Sequence, residues 1–345
     1  MQATIKYRNL LFKQASGTSR GILRSKESWF LELSSDDVEG SGVGECSVIK
    51  GLSPDYDKDI NASIHLLAEQ INQGDTIPMG SELFNGLPAL KFCYEMAVKD
   101  YSNTTSMLLY DSEFITGKGL PINGLVWMGT KASMKKQIKE KIASGYRCIK
   151  IKIAAIDFDE ECGLLKFLRE EYSEDDIQIR VDANGGFKVS EALENLKRLS
   201  AYRLHSIEQP IVPGHSAELA HLCQDSPLDI ALDEELIRIT TAVDRKKLLT
   251  DIKPQYIILK PSLVGGFSDS EQWIALADNM NIDWWVTSAL ESNIGLNAIA
   301  QWTATLNAEG YQGLGTGQLY SNNIDSPLYI EKGNLFHGSE PWGAL

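Results

Sequence analysis

Five charged residues recur through the middle of the chain at nearly even intervals. Lys152 lies in CIKIKI, Asp182 in IQIRVDANGG, Glu208 in LHSIEQP, Asp233 in DIALDEE and Lys260 in YIILKPS, at successive separations of 30, 26, 25 and 27 residues. Each sits at or near the end of a short apolar run of strand character. Three carboxylates flanked by two lysines describe a site for a hard divalent cation, Mg²⁺ or Mn²⁺, held by Asp182, Glu208 and Asp233. A carboxylate substrate bound there can lose its α-proton to a lysine, because the cation takes up the charge that develops on the substrate. The chemistry expected is proton abstraction next to a carboxylate, with Lys152 and Lys260 on opposite sides of the ion.

Lys150 and Lys152 are two residues apart, so on a strand they share a face, while Ile149, Ile151 and Ile153 take the other. Two ammonium groups held close on a water-poor rim each lower the other's pKa, which is how Lys152 becomes a base near neutral pH. Taken singly, Asp182 ahead of Ala-Asn-Gly-Gly reads equally well as a helix N-cap, and a lysine in a strand reads more often as a snorkelling edge residue. Five such residues in register favour the catalytic reading.

The elements that must position them follow from the intervals, since a strand, a loop, a crossover helix and a second loop consume about that much chain. Eight strands are expected, at residues 122–127, 148–153, 177–182, 205–209, 230–233, 256–260, 284–288 and 311–314. Amphipathic segments lie between them, such as KASMKKQIKEKIASG, whose Met134, Ile138 and Ile142 would pack inward. This alternation predicts an α/β fold, a TIM-like (β/α) barrel whose strand ends converge on one face. No GxGxxG follows the first strand, which argues against a dinucleotide-binding sheet. Trp284 and Trp285 read as packing residues, and the glycines of LVGGF and GLGTG as either loop residues or a phosphate cradle.

The first third breaks the rhythm. Three β-rich runs, at 3–14, 20–34 and 42–48, are followed by two helical stretches near 60–73 and 88–101, which is α+β organisation. The division expected is an α+β capping domain over 1–115, a barrel over 116–325, and a tail over 326–345 that packs back on the capping domain.

Of 345 residues 43% are hydrophobic and 23% charged, ordinary values for a globular enzyme. The net charge of −14 argues against nucleic acid or an anionic membrane as the main partner, and a small anionic carboxylate substrate would need local lysines. Cys46, Cys93, Cys148, Cys162 and Cys223 show no paired or ligand spacing, and the five histidines form no zinc motif. With no apolar leader and no long apolar run, a cytoplasmic location is expected.

These residues together resemble the enolase superfamily, specifically its muconate lactonizing enzyme subgroup. The matching pieces are Lys150-Ile151-Lys152, VDAN with Asp182, EQP with Glu208, LDEE with Asp233 and LKPS with Lys260. GVGECSVIKGLSP and ALKFCYEMAVKDY are similar to the end of the family's capping sheet and to the helix that precedes its barrel. The resemblance implies a modified barrel under an α+β cap, and Mg²⁺ as the cation. It implies that Lys152 removes the proton and returns it to a departing hydroxide, and that Lys260 stabilises the substrate as a cation beside a π-system.

Within the subgroup the chain looks most like members that eliminate water from 2-succinyl-6-hydroxy-2,4-cyclohexadiene-1-carboxylate in menaquinone biosynthesis. That likeness assigns Lys150 and Asn184 to substrate, and Ser288, Gly315 and Thr316 to its succinyl end. Ser19 or Arg20 and the 51–56 loop would close over the site. N-succinylamino acid racemases, dipeptide epimerases and muconate cycloisomerase-like enzymes share the same lysines and ligands. Dipeptide epimerases carry a DxD pattern near strand 8, where this chain has Gly315-Thr316-Gly317, and no histidine near strand 7 supports a mandelate-racemase-like site. A barrel that only binds, or a Schiff-base aldolase using Lys260, is the alternative of a different class.

Overall fold

The computed structural model describes residues 1–18, 21–35, 40–103 and 105–345. Ser19 and Arg20 lie outside the described residues.

Strands β1 (Gln2–Thr18), β2 (Gly21–Ser34) and β3 (Ser41–Ser47) form an antiparallel sheet in that order. Its apolar face, with Trp29, Leu31, Leu33 and Cys46, packs on Ile64, Leu67, Leu90 and Cys93 of helices α1 (Ile60–Asn72) and α2 (Pro88–Tyr101). The Asp59 carboxylate caps α1 by accepting from the Ala62 amide at 2.9 Å. Pro88 opens α2, and buried Asp55 accepts from the first free amides, those of Ala89 and Leu90. The glycines of GVGE let β3 lie directly on α2. A Cβ at Gly44 would sit 1.9 Å from the Cys93 carbonyl oxygen.

After the short strand β4 (Leu120–Pro121) come seven parallel strands: β5 (Gly124–Val126), β6 (Cys148–Lys152), β7 (Gln178–Asp182), β8 (Ser206–Glu208), β9 (Ile230–Leu232), β10 (Tyr256–Leu259) and β11 (Asp283–Val286). They pair in chain order, each with the next. The connecting helices are α3 (Lys131–Ala143), α4 (Phe158–Glu171), α5 (Val189–Ser200), α6 (Ser216–Asp225) and α7 (Ala242–Ile252), then the single-turn α8 (Pro261–Val264) and α9 (Phe267–Asn279), with α10 (Asn293–Thr305) after β11. In α3 Met134 and Ile138 are buried and Ile142 is half-buried against the same core.

The expected eighth strand at 311–314 is not a regular strand. Its place is taken by two parallel bridges, Gln312 to Ile122 and Gly313 to Thr287, which join the first strand region to the end of β11 and close the barrel. Gln312 N donates to Pro121 O, and Gly313 N to Val286 O at 2.7 Å. The glycine content of GLGTG explains the loss of regularity, because glycine offers a strand no side chain to pack. It also explains why the closure fits: a Cβ at Gly313 would lie 2.4 Å from Thr287 Oγ1.

The last segment forms a hairpin, β12 (Leu328–Glu331) with β13 (Asn334–His337), and β13 pairs with β4 at the foot of the barrel. The flanking chain also meets β1, through Arg8 to Asn322 O at 3.2 Å.

The capping sheet and helices are seated on the barrel by buried polar contacts. Glu45, at the end of GVGE, accepts from the amides of Ser292 and Gly295 and so caps α10. Lys26 on β2 donates to the carbonyls of Ala289 and Leu290 at 2.6 and 2.9 Å. The glycines of LVGGF admit Glu95 of α2, whose carboxylate accepts from the Phe267 and Ser268 amides at 2.6 and 3.0 Å. Among the described residues no helix is long and apolar enough to cross a membrane.

Candidate active site

Parallel pairing in register sets the five charges side by side, since Lys152 is opposite Asp182 and Asp182 is opposite Glu208. Lys152 Nζ lies 2.6 Å from Asp182 Oδ2 and 2.6 Å from Asn184 Oδ1. Lys150 Nζ lies 2.9 Å from the same Asp182 oxygen and also pairs with Glu208 Oε2. Across the rim Lys260 pairs with Asp233 Oδ2. Asp182 does form a local turn contact as well, accepting at Oδ1 from the Asn184 amide at 3.0 Å. The N-cap reading of Asp182 does not hold, because α5 begins at Val189 with Lys188 at its N-cap; one carboxylate oxygen closes a local turn while the other faces the lysines.

The three carboxylates and Lys150 are all buried. Burial by itself disfavours the Lys150 ammonium, but Asp182, Glu208 and Asp233 outweigh it and raise the pKa. The expected mutual depression of the two lysines therefore does not hold for Lys150, which is a cation locked between acids. Asp182 resists the upward push of burial because Lys150 and Lys152 hold it well below the usual carboxylate range. Glu208 goes the other way, raised by burial and by the charge of Asp182.

This donor set fits a hard divalent cation. Among the described residues Glu208 Oε1 is buried with no hydrogen-bond partner, which leaves an anionic oxygen without a donor. Among the described residues no three acids already stand in a ligating array, because each turns an oxygen to a lysine.

Above the carboxylates is a cavity of about 410 Å³, lined by Lys150, Lys152, Asn184 and Lys260 on one side and by Ser288, Gly315 and Thr316 on the other. Ser288 Oγ and Thr316 Oγ1 are 2.6 Å apart and buried. Gly21, Ile22 and Leu23 of β2 and Gly51 and Leu52 of the following loop complete the wall from the capping side.

Several residues that the spacing argument passed over also belong here. Asn184 holds a left-handed backbone with φ of 45°, and its Nδ2 donates to Glu234 Oε1 at 3.0 Å. Gln209 is fully buried and accepts at Oε1 from the amides of Asp233 and Glu235, tying the ends of β8 and β9 together. Asn184 belongs to the VDAN motif and was assigned to substrate by the family resemblance, while Gln209 follows Glu208 in EQP with no charge to single it out. Asn123, Trp127 and Thr287 line the cavity without any such neighbour.

The Enolase C-terminal domain-like family model matches residues 133–340. The chain is 46% identical to o-succinylbenzoate synthase of Desulfotalea psychrophila, over 97% of this chain and 98% of that one. It is 28% identical to an N-succinylamino acid racemase of Thermus thermophilus, over 85% of this chain and 79% of that one. Its fold superposes on the crystal structure of MenC from Desulfotalea psychrophila with a TM-score of 0.86 at 43% identity, covering 97% and 99% of the two chains. The strand-end lysines and acids stand on a barrel that this family model spans almost from end to end, and the chain accordingly belongs to the enolase C-terminal domain-like family.

Proposed function

We propose that the chain is a carbon–oxygen lyase, an o-succinylbenzoate synthase of menaquinone biosynthesis that removes water from 2-succinyl-6-hydroxy-2,4-cyclohexadiene-1-carboxylate. The observation that carries this reading is the 46% identity to an o-succinylbenzoate synthase over nearly the full length of both chains.

Asp182, Glu208 and Asp233 would hold Mg²⁺, or Mn²⁺, which when bound supplies positive charge to the substrate carboxylate. Lys152 lines the cavity with Asn184 and Asp182 positioning its Nζ, and as the neutral amine takes the α-proton. The same lysine then returns that proton to the departing hydroxide. Lys260, paired with Asp233 on the other side, stays a cation and stabilises the ring as negative charge develops. Lys150 holds Asp182 and Glu208 in place and contributes its charge to the substrate carboxylate.

Ser288, Gly315 and Thr316 offer the remote arm of the substrate a neutral, hydrogen-bonding wall. No acid stands in the Gly315-Thr316-Gly317 stretch to meet an ammonium group, and a buried unpaired ammonium would cost several kcal/mol, which disfavours a dipeptide. The five cysteines are free and buried, in keeping with a reducing cytoplasm.

Purified protein with Mg²⁺ should form o-succinylbenzoate with kcat/KM on the order of 10⁴ M⁻¹s⁻¹ or more. Dipeptides should show little α-proton exchange in D₂O. N-succinylamino acids, suggested by the Thermus thermophilus relative, are the second substrate to assay. Efficient dipeptide exchange without dehydration would overturn the reading.

A further inference from the structure

The two sides of the cavity differ in kind. On the metal-ligand and lysine side each acid turns an oxygen to a lysine, and the buried Glu208 Oε1 is left for the proposed metal. The facing side, built from β5, the end of β11 and the closing bridges, contains polar groups with nothing to bind. Asn123 is 5% exposed, and its side-chain oxygen is buried without a partner. Its carboxamide makes no hydrogen bond among the described residues, so either end can turn to a ligand. Thr287 Oγ1 is likewise buried without a partner among the described residues. The two residues flank the bridging segment 312–313, where Gly313 lets the Thr287 side chain pack against the closing segment, since a Cβ there would stand 2.4 Å from Thr287 Oγ1.

A charge of the right sign lines the same cavity. Lys141, in the last turn of α3, is half-buried, lies 4.9 Å over the Tyr146 ring, and has no ion pair among the described residues. Its aliphatic chain packs across Gly124, at 3.1 Å from where a Cβ would stand. Orphaned buried polar groups carry an uncompensated desolvation cost unless a ligand satisfies them, so this pattern points to an occupant that accepts hydrogen bonds and carries negative charge.

We propose that Asn123, Thr287 and Lys141 form a second carboxylate subsite, which receives the terminal carboxylate of the substrate's succinyl arm while the ring carboxylate lies over Asp182, Glu208 and Asp233. The assignment rests on the function proposed above and adds to it a source of specificity for dianionic over monoanionic substrates. Asn123 Nδ2 and the Thr287 hydroxyl donate to the arm, and Lys141 balances its charge across the cavity wall.

The test compares two ligands that differ only at the end of the arm, o-succinylbenzoate and 2-butanoylbenzoate, by calorimetric titration of the full chain in Mg²⁺ buffer. Asn123→Leu, Thr287→Val and Lys141→Met should each weaken o-succinylbenzoate about tenfold or more, and leave 2-butanoylbenzoate within about threefold. Asn123→Asp should weaken o-succinylbenzoate further than Asn123→Leu, because it sets a like charge beside the carboxylate. If Asn123→Leu does not fold, Thr287→Val and Lys141→Met carry the comparison. Equal losses for both ligands, or no loss for o-succinylbenzoate, would overturn the subsite. Wild-type protein that forms no o-succinylbenzoate would instead overturn the proposed function, an outcome read in a separate assay.

Discussion

One oxygen of Asp182 serves two lysines: Lys152 Nζ approaches Oδ2 at 2.6 Å and Lys150 Nζ at 2.9 Å. Because β6 places both lysines on one face and β7 sets Asp182 opposite Lys152, the contact is a direct product of parallel register. Asp182 therefore couples the position of the proposed base to that of the proposed metal.

If the acids hold Mg²⁺, Asp182→Asn and Glu208→Gln should abolish turnover while the far-UV circular dichroism stays native. Adding Mg²⁺ should raise the melting temperature of the wild-type protein and not that of either variant, since a ligand that binds only the folded state stabilises it. Full activity after exhaustive chelation would refute the metal site.

Lys152→Ala should lower kcat by roughly 10²–10⁴, the usual worth of a positioned acid or base. Binding of o-succinylbenzoate should remain measurable in that variant. Turnover within about tenfold of wild type, or ~1.4 kcal/mol of barrier, would move the base elsewhere.

His205 lies inside the barrel, tilted against Tyr256 with ring centroids 4.9 Å apart and bonded to Ser206 Oγ at 2.9 Å. Burial, with help from the Arg180 guanidinium, lowers its pKa to about 4 from 6.5. The folded state thus takes up the proton less readily than the unfolded chain. This contribution to stability is full above about pH 6.5 and falls away as the pH drops toward 4. Urea midpoints should decline over that window in the wild type and less steeply in His205→Gln. Parallel slopes would show that other groups govern acid sensitivity.

Gly44→Ala should destabilise the capping domain by about 1–3 kcal/mol or more, because a Cβ there would stand 1.9 Å from the Cys93 carbonyl and force β3 off α2. As Glu45 follows on the same strand and caps α10, activity should fall together with stability. A variant with an unchanged urea midpoint would mean that the strand and helix can separate freely.

The five rim charges, the order of the barrel strands and the α+β start were legible in the chain itself. Their physical basis is local: a βα unit has a nearly constant length, and strand periodicity decides which face a lysine takes. The residues themselves could not say how the barrel closes. That depends on Gln312 and Gly313 meeting Ile122 and Thr287, contacts between segments far apart in sequence and made through glycine-rich backbone that has no strand signature. Nor could they say that Lys150 would be locked between Asp182 and Glu208, since a pKa answers to burial and to every charge within reach. Asn123, Thr287 and Lys141 carry no motif. Only tertiary structure brings an uncharged amide, a hydroxyl and a lysine to one cavity, because convergence is a property of the closed barrel and not of any segment of it.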